Sequence, residues 1–352
     1  MTNAVKNRVV LPERKATPLV INGAMDVAQR STSVTGLGDG DEGYVTVDRF
    51  RHTAAASAGR FTSKQTAVAD LDGFQNCLEL DCTTADTSIA ATELLQIDYR
   101  VEGQDMQYFK KGETNAEYIT VSFYAKADAA VAYACELRDI DNGRHISKLF
   151  TTGTDWTHHV ISFPGDTTGN FGDDANESLR VSLILHAGSN FTEGTLAAAW
   201  ASYNDANSAV GIGSFYAATT RSLKITGFQI EAGDYNASTN PPFQYEIFPE
   251  SKTRCQRYFI GSSQLVPTTQ LTAATAVQFT PQFRTEMRAA PTATAVATSG
   301  FGLVGGSYTT TTLATSNIGV NGGRCAVNMD TSTGELKQLC DQPLPVTLDA
   351  EL

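Results

Sequence analysis

The residues best suited to holding a ligand lie in one segment, Asn190-Phe-Thr-Glu-Gly-Thr-Leu-Ala-Ala-Ala-Trp-Ala-Ser-Tyr203. It gathers Phe191, Trp200 and Tyr203 with hydroxyl, amide and carboxylate groups in what reads as a long loop. Aromatic rings stack on the C–H faces of sugars while planar polar groups hold the hydroxyls. The chemistry on offer is therefore glycan recognition. Trp156, just before an alternating segment at 158–163, is a further candidate. The same tryptophans serve equally well as packing residues at the edge of a core, and sequence leaves both readings open.

Catalysis finds less support. Of the five histidines, only His158 and His159 are adjacent, and in an alternating strand they point to opposite faces and cannot share a metal. Nucleophile-elbow, zincin, Walker A and Rossmann glycine patterns are all missing. The glycines at 36–40 lead toward a strand rather than a helix N-terminus, so they do not form a phosphate cradle. Asp39, Asp41, Asp166, Asp173 and Asp174 supply the oxygens that calcium prefers, without the spacing of an EF-hand loop. The expectation is no catalytic residue, no metal site and no cofactor.

The chain has 352 residues, 26 Lys and Arg against 38 Asp and Glu, and a net charge of −12. Such an acidic surface disfavours nucleic acid and anionic lipid as partners. No apolar run is long enough for a membrane helix. The first twenty residues lack the apolar core of a secretory signal. Six dispersed cysteines then read as reduced, mostly buried thiols, with the pairing of Cys325 and Cys340 across a hairpin left open by the sequence.

Charged residues make up only 18% of the chain, and Thr, Ser, Ala and Gly abound, which suits sheet surfaces better than helix surfaces. Residues 1–16 read as an extended arm carrying Lys6, Arg8, Arg14 and Lys15, with a reach of roughly 50 Å. Short strands are predicted at 19–22, 45–50, 77–82, 119–125, 132–137, 158–163, 181–186 and 223–230, with turn clusters between them. Gly227 interrupts the last of these, which predicts a bulge or a close backbone approach. Pro241-Pro242 stops the sheet, and 243–245 reads as a short edge segment. Helical turns are predicted at 92–99 or 106–111. A strand at 255–259 opens a second β unit, with strands at 276–283, 292–298, 309–313 and 325–329. The reading is all-β: a jelly-roll sandwich over 17–250, followed by a smaller sandwich-like domain over 251–352.

Several segments, in order, resemble bacteriophage tail-fibre and virion-appendage proteins with a carbohydrate-binding-module-like jelly roll. They include Ile21-Asn-Gly-Ala-Met-Asp-Val-Ala-Gln-Arg30, Tyr44-Val-Thr-Val-Asp-Arg-Phe50, Tyr99-Arg-Val-Glu-Gly-Gln-Asp105 and Val121-Ser-Phe-Tyr-Ala-Lys-Ala127. Further along come Phe163-Pro-Gly-Asp-Thr-Thr-Gly169, Ala187-Gly-Ser-Asn-Phe191, Ile225-Thr-Gly-Phe-Gln-Ile-Glu231, Cys255-Gln-Arg-Tyr-Phe259 and Met287-Arg-Ala-Ala-Pro-Thr292. Ala28 and Tyr124 stand where the family carries tryptophan, which implies a smaller aromatic core.

The resemblance implies a structural virion protein, made in a bacterial host and assembled as a homotrimer. It would bind other virion proteins through the arm and host-surface polysaccharide through its loops. Because the chain starts almost directly at this module, attachment is expected through the short arm or a lateral surface. A capsid decoration protein is the alternative, and a polysaccharide-degrading enzyme a more distant one.

Overall fold

The computed structural model describes residues 18–261, 269–273, 276–279, 283–295, 301–303, 306–308, 310–329 and 346–352. The arm with Lys6, Arg8, Arg14 and Lys15 lies outside the described residues, as does Cys340.

Thirteen strands form two antiparallel sheets: β1 (Ser33–Leu37), β2 (Glu42–Gly43), β3 (Phe50–Ala55), β4 (Arg60–Ala67), β5 (Asn76–Thr84), β6 (Leu94–Glu102), β7 (Ile119–Ala127), β8 (Ala132–Asp139), β9 (Arg144–Thr151), β10 (Thr157–Phe163), β11 (Glu177–Ala187), β12 (Ala201–Ser202) and β13 (Ser222–Ala232). The first sheet runs β1-β4-β5-β13-β7-β10 and the second β12-β9-β8-β11-β6-β3-β2. The all-β expectation therefore holds, as a jelly-roll sandwich. Alternation buries one row per strand between the sheets. Leu95, Ile97, Tyr99 and Val101 of β6 meet Phe123, Phe228 and Leu80 of the first sheet there. Phe123 stacks on Phe228 with centroids 5.8 Å apart.

After the sandwich, β14 (Phe259–Ile260), β17 (Thr292–Ala295) and β22 (Val346–Asp349) form a three-stranded sheet in the order β14-β22-β17. Further strands are β15 (Thr269–Ala273), β16 (Ala276–Phe279), β18 (Phe301–Leu303), β19 (Gly306–Tyr308), β20 (Thr310–Gly319) and β21 (Gly322–Met329), and β15-β16-β21-β20 form one sheet. The three-stranded sheet is tied to the sandwich through charge. Arg30 pairs with Asp349 at 2.8 Å, and Arg49, only 1% exposed, pairs with Glu351 at 2.5 Å. The Arg49 guanidinium also lies 3.4 Å from the Tyr258 ring centroid and donates to the Arg100 carbonyl. Glu102 accepts from Arg257 and from the Tyr258 hydroxyl.

Gly227 behaves as its strand pattern predicts. The pairing of β13 with β7 slips between Thr226 and Gln229, and Gly227 has φ +64. A Cβ there would lie 2.8 Å from the Phe74 ring and 2.9 Å from that of Tyr124.

The helical turn expected at 92–99 or 106–111 forms at the second place, as a single 3-10 turn over Gln107–Phe109, while 94–102 are strand β6 because their alternation faces the core. Three local expectations are corrected. Residues 19–22 form a turn closed by Asn22, whose side chain bonds the backbone of Val27 and Asp48. In the 45–50 segment only Phe50 is strand, since Arg49 adopts φ +72, outside the extended region. Cys255 ends helix α2 (Phe248–Cys255), the second after α1 (Ser189–Thr192), so no strand begins there. In α2, Pro249 at the start, Glu250 in the first turn and Lys252 and Arg254 in the last all suit a helix and its dipole.

Tyr124 does not shrink the core either. It points out of the first sheet and stacks on His158 at 4.5 Å. Cys77, Cys82, Cys135 and Cys255 are free and buried, and burial pushes the thiols of Cys77 and Cys82 up to about 12 and about 11.

Candidate functional site

The second sheet turns one face to the core and the other outward, and its antiparallel register sets which outward side chains line up. One outward row runs Arg51 (β3), Asp98 (β6), Ser182 (β11), Glu136 (β8) and Ser147 (β9), each directly opposite the next. A second row runs Arg100, Arg180, Arg138 and His145 across β6, β11, β8 and β9. The third, Thr53, Gln96, Ile184 and Ala134, is partly apolar. All of these except the fully buried Asp98, Ser147, His145 and Ala134 floor an open groove of about 350 Å³, walled by Phe191 and Tyr203.

The floor is held by its own hydrogen bonds. Asp98 accepts from Ser182 Oγ at 2.7 Å, from Gln96 Nε2 at 2.9 Å and from Thr53 Oγ1 at 3.1 Å. Glu136 lies 2.8 Å from His145 Nδ1 and accepts from Ser147. Glu177 takes the Arg180 fork at 2.6 and 3.0 Å and lies 3.4 Å from Arg100. Arg51 has Glu42 at 2.6 Å. Arg138 has no carboxylate within ion-pair distance among the described residues, and its buried Nε has no acceptor. Its guanidinium instead lies over the Tyr203 ring, 3.6 Å from the centroid.

The edge strand β12 places Tyr203 by pairing with Arg144 and His145 of β9. The Tyr203 N–H then donates to the Gly143 carbonyl, its hydroxyl bonds Asp205, and the His145 ring meets it edge-on at 5.0 Å. With one face under Arg138, Tyr203 is a support for that cation more than a bare platform. Phe191, on the α1 turn, packs against the outward cluster of Ala134, Ile184, Ala187 and Ala209.

The structure thus brings together two of the four sequence candidates. Trp200 lies elsewhere, packed on the core with Nε1 donating to the Pro164 carbonyl at 2.7 Å. Trp156 sits beside the outward side of the first sheet, bonded to Asp70, which also takes Lys126 of β7. The groove arginines were missed. Each lies at an outward position of an alternating strand, but no local signal says that three such positions coincide. Also missed was a second aromatic surface. Residues 243–245 are not strand but cover the first sheet's outer face, where Phe74, Phe243 and Tyr245 cluster. Tyr245 and Phe248, 58% and 52% exposed, border an open hollow of about 440 Å³ there.

The histidine pair points to opposite faces as expected: His159 meets Phe123 and Phe150, His158 meets Tyr124. Among the described residues no group of three or more His, Cys, Asp or Glu is placed to hold a metal. Asp39 and Asp41 instead close turns by accepting from Ala56 and Gly38, and Asp166 bonds Arg144 and Lys111.

No protein-family model matches the chain, and no curated protein sequence matches it. Among solved structures it is similar to the enzymatically active domain of tailspike protein 4 of bacteriophage CBA120, at 9% identity and TM-score 0.32, over 61% of this chain and 21% of that one. It is similar to TmCBM61 in complex with β-1,4-galactotriose, at 9% identity and TM-score 0.31, over 62% and 99%. It is also similar to the N-terminal cellulose-binding domain of Cellulomonas fimi β-1,4-glucanase C, at 10% identity and TM-score 0.29, over 63% and 100%. The chain spans about a fifth of the tailspike domain. At these scores the likeness transfers no residue role.

Proposed function

We propose that this chain is a non-catalytic, glycan-binding β-sandwich subunit of a bacteriophage appendage, assembled as a homotrimer, with the glycan lying in the groove of the second sheet. The observation that carries the ligand is the groove itself. Its planar donors and acceptors are fixed on strands rather than loops, which suits a ligand rich in hydroxyls. Binding is favoured over catalysis because Asp98 is fully buried and held by internal donors, and Glu136 in the groove is engaged by His145 and Ser147. The virion setting rests on the ordered resemblance of the sequence segments, and trimerisation would multiply weak single-site contacts.

The test is retention in native gels containing polysaccharide, followed by calorimetry on whichever polymer retards the protein. Retardation by at least one polymer, reduced by Arg138→Ala and Tyr203→Ala but not by Trp156→Ala, is expected. Equal loss from Trp156→Ala would move the site to the other sheet. The particle setting is checked by probing purified phage with antibody to the chain, and the trimer by light scattering.

A further inference from the structure

Like charges placed directly opposite one another on adjacent strands destabilise a sheet. Yet Arg100, Arg180 and Arg138 occupy paired positions on three adjacent strands, in a chain whose net charge is −12. Two of them are compensated: Glu177 grips Arg180 with both oxygens and lies beside Arg100. The third is not. Arg138 alone of the three has no ion-pair partner among the described residues, and its buried Nε, like that of Arg100, lacks an acceptor. The nearby Glu136 carboxylate is occupied by His145 and Ser147, and Asp205 by the Tyr203 hydroxyl. Tyr203 pins the guanidinium under a 3.6 Å stack. A fork held in place loses little rotamer freedom when it takes up a planar, bidentate anion.

Resting on the glycan-binding reading above, we propose that the groove selects glycans bearing a carboxylate, such as a uronic or sialic acid residue, and that Arg138 receives that carboxylate. One uncompensated cation matches one carboxylate per bound segment. The acidic remainder of the surface repels a polyanion, which confines its binding to this groove.

The test uses the full chain with hyaluronan, alginate, polygalacturonate and polysialic acid, each native and carboxyl-reduced, beside neutral dextran and galactan. At least one native acidic polymer is expected to bind, and its reduced form about tenfold or more weaker, since a hydrogen bond to a charged group is worth that much. Arg138→Gln should show the same loss, and Lys110→Gln, an exposed cation elsewhere, none. On the unaltered protein, free galacturonate should compete where galactose does not, which keeps the test independent of how the variant folds. Equal binding of native and reduced polymers, or of neutral polymers alone, would overturn carboxylate selection and leave glycan binding standing. Binding to none of the panel would overturn both.

Discussion

Replacing Gly227 by alanine separates two costs that the structure superimposes at one residue. An L-residue at φ +64 pays about 1–2 kcal/mol for the left-handed backbone. It recovers about 0.4–1 kcal/mol because the unfolded chain is less free. The added methyl also lands 2.8 and 2.9 Å from the rings of Phe74 and Tyr124. Neither ring can swing clear: Phe74 is wedged among Tyr124, Phe243 and Tyr245, and Tyr124 is stacked on His158. Overpacking of this kind costs about 1–3 kcal/mol more, so Gly227→Ala should lose about 2–4 kcal/mol. Gly143, with φ +60 and nothing within 4 Å of its Cβ position, supplies the control. Gly143→Ala carries the backbone terms alone and should lose about 1 kcal/mol. Urea unfolding followed by circular dichroism reads both, provided the slope is unchanged. A Gly227→Ala loss within about 0.5 kcal/mol of the Gly143→Ala loss would refute the steric argument and with it the close packing of 243–245 on the first sheet.

Three further outcomes follow from named contacts. Glu351→Ala strands the buried Arg49 guanidinium and should lower the unfolding free energy by about 3–5 kcal/mol, with Arg49→Met in the same chain restoring part of it; additive losses would show that the two are uncoupled. Burial pushes the imidazoles of both His52 and His159 down to about 4, so their contribution is whole above the unfolded value of 6.5 and is lost as pH falls toward 4. Asp48, which burial pushes up to about 6 against the donors from Gln29, has the opposite sign and gains stability as pH falls through 6, so the urea midpoint should decline toward pH 4 less steeply than the two histidines alone dictate, and more steeply in Asp48→Asn; a midpoint flat over this range in both proteins excludes the scheme. Trp200→Ala should cost about 3 kcal/mol in the same unfolding assay and leave polysaccharide retention intact; lost retention with an unchanged urea midpoint would make Trp200 a ligand contact after all.

How far the sequence discloses this fold depends on what each strand turns inward. Strands β7, β11 and β13 present rows such as Ile119, Val121 and Phe123, or Leu179, Val181 and Leu183, and their alternation is visible in the chain. Strand β4 is not, because its inward row holds Ser63 beside Phe61. Ser63 is fully buried between the sheets, where it bonds Thr46 at 2.8 Å and His52 Nε2 of β3 at 2.9 Å. A polar group satisfied across the core costs the fold little but erases the hydrophobic signal. The groove was legible by residue type at Phe191 and Tyr203 and illegible at the arginines. Arg100, Arg138 and Arg180 become neighbours only through the registers of β11 with β6 and β8, which no local pattern encodes.

The segments that carry the family resemblance mostly hold the fold, and only Arg100 and Phe191 of them reach the groove. In the opening segment, the Ile21 N–H donates to the Tyr99 hydroxyl, Asn22 closes the turn, and Gly23 leaves room for the Phe228 carbonyl, which a Cβ would meet at 2.2 Å. Gln29 bonds Asp48 and the Phe259 carbonyl, and Arg30 reaches Asp349. Tyr99 and Glu102 receive the same turn and the Arg257-Tyr258 pair from the other side. By contrast Gln96, Arg138, Arg180, Ser182 and Tyr203 fall outside every resembling segment. They occupy outward positions, where a change of side chain leaves the inward row untouched. Apart from Arg100 and Phe191, which lie within resembling segments, the residues that write the groove are therefore distinct from those that fix the sandwich and its attached sheet. Substituting these distinct groove residues should change which glycan is held without changing the stability of the sandwich.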